Sequence, residues 1–241
     1  MTCLPSTRDR IQTPARPGAL FSCAALVVLL SACGGYSPPG TGMTPASLAP
    51  LSVNPPTPDP RVGLAPGLFD AGEAIWNLRL VSATPPTEPF VGQTNSDLAF
   101  TGPYAIQGNY DGIQIWDISD PANPESVITY VCPASQSDVS VYEHLLFVSG
   151  EGMGGRLDCS GEGIEEAVSH DRLRGIRIFD ISDITAPEYV ANVQTCRGSH
   201  THTVLEHPGD DENVYVYVSG SAPVRPAEEL PGCSDAPPEE D

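Results

Sequence analysis

The chain has 241 residues, with 31 Asp+Glu against 11 Lys+Arg and a formal net charge of −20. A field of that sign repels phosphate backbones, so nucleic acid is excluded as a partner. Every basic residue is Arg, so a lysine Schiff base and a P-loop are excluded as well. The length fits one large domain or two small ones, and 26 Pro with 23 Gly ask for many turns and an unstructured tract.

Residues 1–18 carry Arg8, Arg10 and Arg16 against Asp9, and an apolar run from Ala19 to Leu30 follows. As a helix that run spans about 18 Å, too short for a hydrocarbon core of roughly 30 Å. A basic flank, a short apolar core and small residues at its end describe an export signal. Leu30-Ser31-Ala32-Cys33 resembles a bacterial lipobox, in which the Cys is acylated and becomes the mature N-terminus. Residues 1–32 are therefore expected to be a lipoprotein signal peptide and Cys33 the site of lipidation. Gly34 stands where an inner-membrane retention signal has Asp, which points to the outer membrane or cell surface. Residues 33–66, rich in Pro, Gly, Ser and Thr, cannot bury enough surface to offset their ordering entropy and read as a tether.

The remainder, residues 67–241, repeats. Gly112–Asp120 (GIQIWDISD) matches Gly175–Asp183 (GIRIFDISD), and Ser96–Phe100 matches Ser137–Val141. A further copy opens at Ser199-His200-Thr201-His202, and its strand Val214–Val218 ends in Ser219-Gly220, as Leu145–Val148 ends in Ser149-Gly150. The basic unit is about 42 residues, with an extra loop at 152–174 in the second copy. Each unit holds short alternating runs between turn residues, and Ile113–Ile118 is apolar on both faces, so it must be covered on both. A period of that size with several strands per unit fits all-β propeller blades, of which about two to three are present. Ala74–Val81, ahead of the first repeat, is a candidate ring-closing strand. With so few blades the chain reads as the N-terminal piece of a longer propeller.

These residues carry a family resemblance. IQIWDISDP (113–121), and IRIFDISDI (176–184) with Ile184 in place of the Pro, resemble the LVIVD-repeat proteins, exported bacterial β-propellers whose strand ends in an Asp-Ile-Ser-(Asp/Asn)-Pro turn. The resemblance covers Trp76 to Cys233 and implies a propeller, export and no established catalysis.

Cys3 and Cys23 fall in the signal, which leaves Cys132, Cys159, Cys196 and Cys233 for an exported domain. Four cysteines allow three connectivities. Cys132 and Cys196 hold equivalent places in the repeat, and Cys159 and Cys233 each follow a Ser-Gly strand. The periodic pairing is Cys132–Cys159 with Cys196–Cys233. No Cys-x-x-Cys spacing suggests zinc.

His200 and His202 project to the same side of a strand, about 7 Å apart at Cα, and can chelate a divalent transition metal. His144, Glu206 and His207 are further candidate ligands. Against this, His200 takes the place of Asp138, a residue that opens a blade strand and bonds to backbone. Asp117 and Asp180 recur with their turn, which marks them as turn-forming. The acids Glu151, Asp158, Glu162, Glu165, Glu166 and Asp171, with His170, read as a solvated loop, since calcium-loop spacing is absent. Two functions follow. The leading one is a lipid-anchored propeller that binds or scaffolds a protein or polysaccharide at the cell surface or in the periplasm, without a cofactor. The other is an exported metal-dependent enzyme built on His200 and His202.

Overall fold

The computed structural model describes residues 52–67 and 70–237. The signal peptide and Cys33 lie outside them, and the described part of the tether, 52–66, is exposed irregular backbone.

Ten strands and no helix follow among the described residues. β1 (Asn95–Thr101), β2 (Tyr104–Asn109), β3 (Gly112–Asp117) and β4 (Glu125–Val131) form one antiparallel sheet in that order. β5 (Val139–Tyr142), β6 (Leu145–Gly150), β7 (Gly175–Asp180) and β8 (Glu188–Gln194) form a second with the same order. β9 (Thr201–His207) and β10 (Asp210–Ser219) make a third sheet of two strands. The architecture is all-β: two four-stranded blades and the opening hairpin of another.

The repeated motif shapes β3 and β7 alike. Gly112 and Gly175 have φ near +150°, and a Cβ on either would drive into the carbonyl of Tyr130 or Val193 on the neighbouring strand. Both strands carry a bulge at the same place, Ile115/Trp116 and Ile178/Phe179. Two Asx turns then end each strand. Asp117 Oδ1 accepts from Ser119 N at 2.8 Å and Asp120 Oδ1 from Ala122 N at 3.0 Å. Asp180 and Asp183 do the same for Ser182 at 2.7 Å and Thr185 at 3.0 Å. The recurring aspartates are turn residues.

Ile106, Ile113 and Ile115 of the first blade pack with Val139, Leu146 and Phe179 of the second in one core. The third sheet is thinner: β6 is buried at every position but its first, whereas β10 is largely exposed. The structure corrects the expected strand at Ala74–Val81. That segment belongs to no sheet, and Leu78 and Leu80 are 82% and 53% exposed. A strand exists only with a ladder partner, and the two complete sheets are filled by β1–β4 and β5–β8.

The structure joins Cys132 to Cys159 and Cys196 to Cys233, the pairing that the repeat implies. The 152–174 segment is a loop, as expected, but it is not loosely attached. Arg172, only 1% exposed, donates from Nε to Met153 O at 2.7 Å and from Nη1 to the buried Glu229. Arg225 Nε donates to the other oxygen of Glu229 at 2.7 Å. Arg177 reaches from β7 to the carbonyl oxygens of Cys132, one half of the first disulfide, and Arg156, both at 2.8 Å. Burial pushes this guanidinium down to about 10, so it stays charged at neutral pH.

Candidate functional site

The first strands of the blades adjoin one another, β1 beside β5 and β5 beside β9. Their entry residues, Ser96-Asp97, Asp138 and His200-Thr201, meet around a cleft of about 320 Å³. Thr94, Asn95, Tyr110 and Gln136 complete its wall, with Tyr110 Oη donating to Gln136 Oε1 at 3.2 Å. No arginine lines it.

Strand register refines the expected equivalences. Val139 pairs with Val148, which sets Asp138 level with Ser149, and Thr201 pairs with Ser219, the matching serine of the third sheet. Thr201, not His200, is thus level with Asp138, and His202 is level with Val139. The consequence is a contact repeated from blade to blade. Asp97 Oδ2 accepts from Val139 N at 3.4 Å, and Asp138 Oδ2 accepts from His202 N at 2.9 Å. Each aspartate clamps the first strand of the next blade. Burial pushes the Asp138 carboxyl up to about 6; the His202 N–H works against that shift and the neighbouring Asp97 carboxylate adds to it.

His202 has a fully buried side chain. Its Nδ1 lies 2.8 Å from Ser149 Oγ and 3.3 Å from Asp138 Oδ2, and Ser149 Oγ lies 2.8 Å from Ser199 Oγ. Ser, His and Asp side chains in contact invite a comparison with a nucleophilic triad, and the geometry refuses it. A triad divides the imidazole, with one nitrogen for the nucleophile and the other for the carboxylate. Here serine and aspartate share Nδ1, Nε2 is buried without a partner, and Ser149 is 0% exposed. Burial lowers the His202 pKa, so the ring is neutral at pH 7. The cluster is a core polar network.

His200 stands at the cleft wall, its side chain 44% exposed. Its Nδ1 is 2.9 Å from Glu151 Oε2. Glu151 also accepts from Ser221 N at 2.6 Å and Ala222 N at 3.0 Å. Burial pushes the Glu151 pKa up, but the hydrogen bonds from Ser221, His200 and Ala222 to its charged form outweigh it and hold it below the ordinary value. Glu151 is thus a buried tie between the second and third sheets and departs from the solvated acidic loop, whereas Glu162, Glu165, Glu166, His170 and Asp171 are exposed as expected. Asp158 is exposed too and pairs with Arg156, which holds its carboxyl down to about 2.

The alternative reading, a metal chelate at His200 and His202, gains no further ligand among the described residues. Both Nδ1 atoms are committed, each to different partners, and among the described residues no group of three or more His, Cys, Asp or Glu is placed to hold a metal. His144 sits in the β5–β6 turn, where its carbonyl accepts from Ile181 N at 2.8 Å. Glu206 and His207 are exposed at the far end of β9, and His207 Nδ1 accepts from Gly209 N at 3.1 Å. The Ser149–His202 contact and the arginine network on Glu229 were not foreseen from sequence. The paired Ser-Gly strand ends were the one signal that Ser149 holds a repeated place.

No family model matches the chain. No curated protein matches it either. Among solved structures, the computationally designed Ika4 protein aligns over 59% of this chain and 99% of its own, at 13% identity and a TM-score of 0.26. A likeness of that size carries no functional argument.

Proposed function

We propose that the chain is an exported propeller of the LVIVD-repeat type, anchored by a lipid on Cys33, that binds a polysaccharide without transforming it. The cleft where three sheets meet is the observation that carries this reading. At about 320 Å³ it has the volume of a small-ligand site. Its amide, hydroxyl, carboxylate and imidazole groups are those that exchange hydrogen bonds with sugar hydroxyls, and the apolar centre of a protein–protein patch is missing from its wall. Two disulfides fit an oxidising compartment. The side chains with catalytic potential, Ser149, Asp138 and His202, are held in structural contacts, which favours binding over chemistry.

Two measurements test this. The full chain, applied to arrayed bacterial surface polysaccharides, is expected to bind a subset of them. Gln136→Ala and Tyr110→Phe should weaken that binding at least fivefold without moving the thermal midpoint. Binding that ignores both substitutions, or capture of protein ligands alone, overturns the polysaccharide reading. For the anchor, Cys33→Ala should shift the protein from the membrane to the soluble fraction, and the wild type should carry acyl mass. A wild type that is soluble and unacylated after export rejects it.

A further inference from the structure

The cleft where three sheets meet carries negative charge that the chain does not balance. Asp97 and Asp138 both line it, and Asp97 stands close enough to hydrogen-bond the Asp138 carboxyl. The chain has no lysine, and no arginine lines the wall. Two imidazoles face the pair, from β9 and from its entry. His200 turns Nδ1 to Glu151 at 2.9 Å. His202, with Nδ1 3.3 Å from Asp138 Oδ2, is neutral at pH 7 because burial lowers its pKa. Tyr110, in the β2–β3 turn, supplies a hydroxyl that donates to Gln136. No lysine or arginine is there to neutralise the two carboxylates.

The acceptors that remain describe one kind of guest. Asp97 Oδ2 is taken by the Val139 N–H and Asp138 Oδ2 by the His202 N–H, so Oδ1 of each is left for a ligand. Gln136 Oε1 keeps a second lone pair beyond the one that meets Tyr110. A protonated primary amine has three N–H donors and no acceptor, the complement of these oxygens. We propose that the cleft selects polysaccharides that carry free amines, seating a protonated amino group of the sugar between Asp97 and Asp138. The inference rests on the polysaccharide reading of the cleft and adds the charge of the guest. A bare divalent ion fits less well. Ca²⁺ takes about six to eight oxygens, and among the described residues no group of three or more His, Cys, Asp or Glu is placed to hold a metal.

Salt and pH each act with a definite sign. A cleft lined by one sign of charge, in a chain at −20, concentrates the field on its guest. Added salt should therefore weaken an amine-bearing guest and leave a neutral one alone. Burial, with the Asp97 carboxylate adding to it, pushes the Asp138 pKa up to about 6. The ammonium needs the ionised carboxylate, so its affinity should fall about tenfold from pH ~7 to pH ~5 as that carboxyl takes up a proton.

The test compares one sugar with and without its charge. A glucosamine hexamer, and the same hexamer after complete N-acetylation, are titrated by calorimetry into the full chain with Cys33→Ala, which removes any acyl group. At pH ~7 the amine form is expected to bind about tenfold tighter than the acetylated form, and to lose that advantage between about 50 and 500 mM NaCl. Asp97→Asn and Asp138→Asn each keep an acceptor for the backbone N–H and remove one charge. Each should weaken the amine form about tenfold and leave the acetylated form within about twofold. An acetylated hexamer that binds as tightly as the amine, or amine binding indifferent to both Asn variants, overturns the selection. Polysaccharide binding that still depends on Gln136 would then survive without it. Tight binding of Ca²⁺ that both Asn variants abolish makes the pair a metal site and overturns the selection too. Capture of neutral polysaccharides with neither hexamer bound rejects the amine alone, and capture of no polysaccharide at all removes the reading on which it rests.

Discussion

Asp138, half-buried, and Glu229, buried, are carboxylates that respond to pH in opposite senses. The folded pKa of Asp138 is raised to about 6, so its contribution to stability is complete below about pH 4 and is lost as pH rises through 6. Asp138→Asn keeps an acceptor for the His202 N–H and removes the charge. It is expected to stabilise the protein by ~1–2 kcal/mol above pH 7, discounted for the solvent that still reaches the carboxyl, and to have no effect below pH 4. Thermal melts of both forms at pH 4, 6 and 8 check this, and a variant less stable at pH 8 would show that the charge is wanted. Glu229 runs the other way. Burial pushes its pKa up, but the Ser169 N–H with Arg225 and Arg172 holds it below the ordinary value, so its contribution is lost as pH falls through the folded pKa. Glu229→Gln leaves two buried guanidinium groups without a counter-charge and should cost ~3–5 kcal/mol. Rapid trypsin cleavage within residues 152–174 should accompany that loss, and a loop as resistant as wild type would show that Glu229 is not its anchor.

The element that most clearly writes its structure into the sequence is the third strand of each blade. Its glycine, its apolar residues on both faces and its two closing aspartates are all local, and each has one physical use: a close approach, a two-sided core and an Asx turn. Gly175→Ala should therefore cost more than the ~0.5–1 kcal/mol by which Ala outdoes Gly elsewhere, and with the opposite sign, because its Cβ meets Val193 O. Denaturant melts of Gly175→Ala and of an exposed control, Gly161→Ala, make the comparison, and equal midpoints would remove the claim. The cysteine pairs were legible for a related reason, since the repeat placed them in matching positions before any coordinate did. What was not legible joins residues far apart. Ser149 and His202 are 53 residues apart, and Arg172 and Glu229 are 57 apart. Neither pair has a local spacing to betray it, and a lone arginine in a loop looks solvated until a carboxylate is folded onto it. The His-x-His pair left two readings open, a chelate and a structural role. Alternation placed both imidazoles on one side, but each was taken by a different polar group from the neighbouring sheet.

Across the whole molecule, stability should fall from the first two blades to the third. The shared core lies between the first and second sheets, and the β9–β10 hairpin contributes no apolar residue to it. Opening of that hairpin exposes little new apolar surface, whereas opening β3 or β7 breaks the core, so their opening free energies must differ. The Cys196–Cys233 bond limits how far the hairpin can stray, because it closes a 37-residue loop around both strands. In the chain-entropy model such a loop is worth ~3–4 kcal/mol. Amide hydrogen exchange of the dilute protein is expected to be slowest in β2, β3, β6 and β7 and fastest in β10. The double variant Cys196→Ser, Cys233→Ser should speed exchange in β9 and β10 on the order of a hundredfold. The same variant should leave β2 and β3 nearly unchanged, since their partners lie within the first sheet. Equal acceleration in every strand would show instead that the three sheets open as one cooperative unit, and that the disulfide supports the whole molecule through the buried His202 and Glu151 contacts that tie the third sheet to the second.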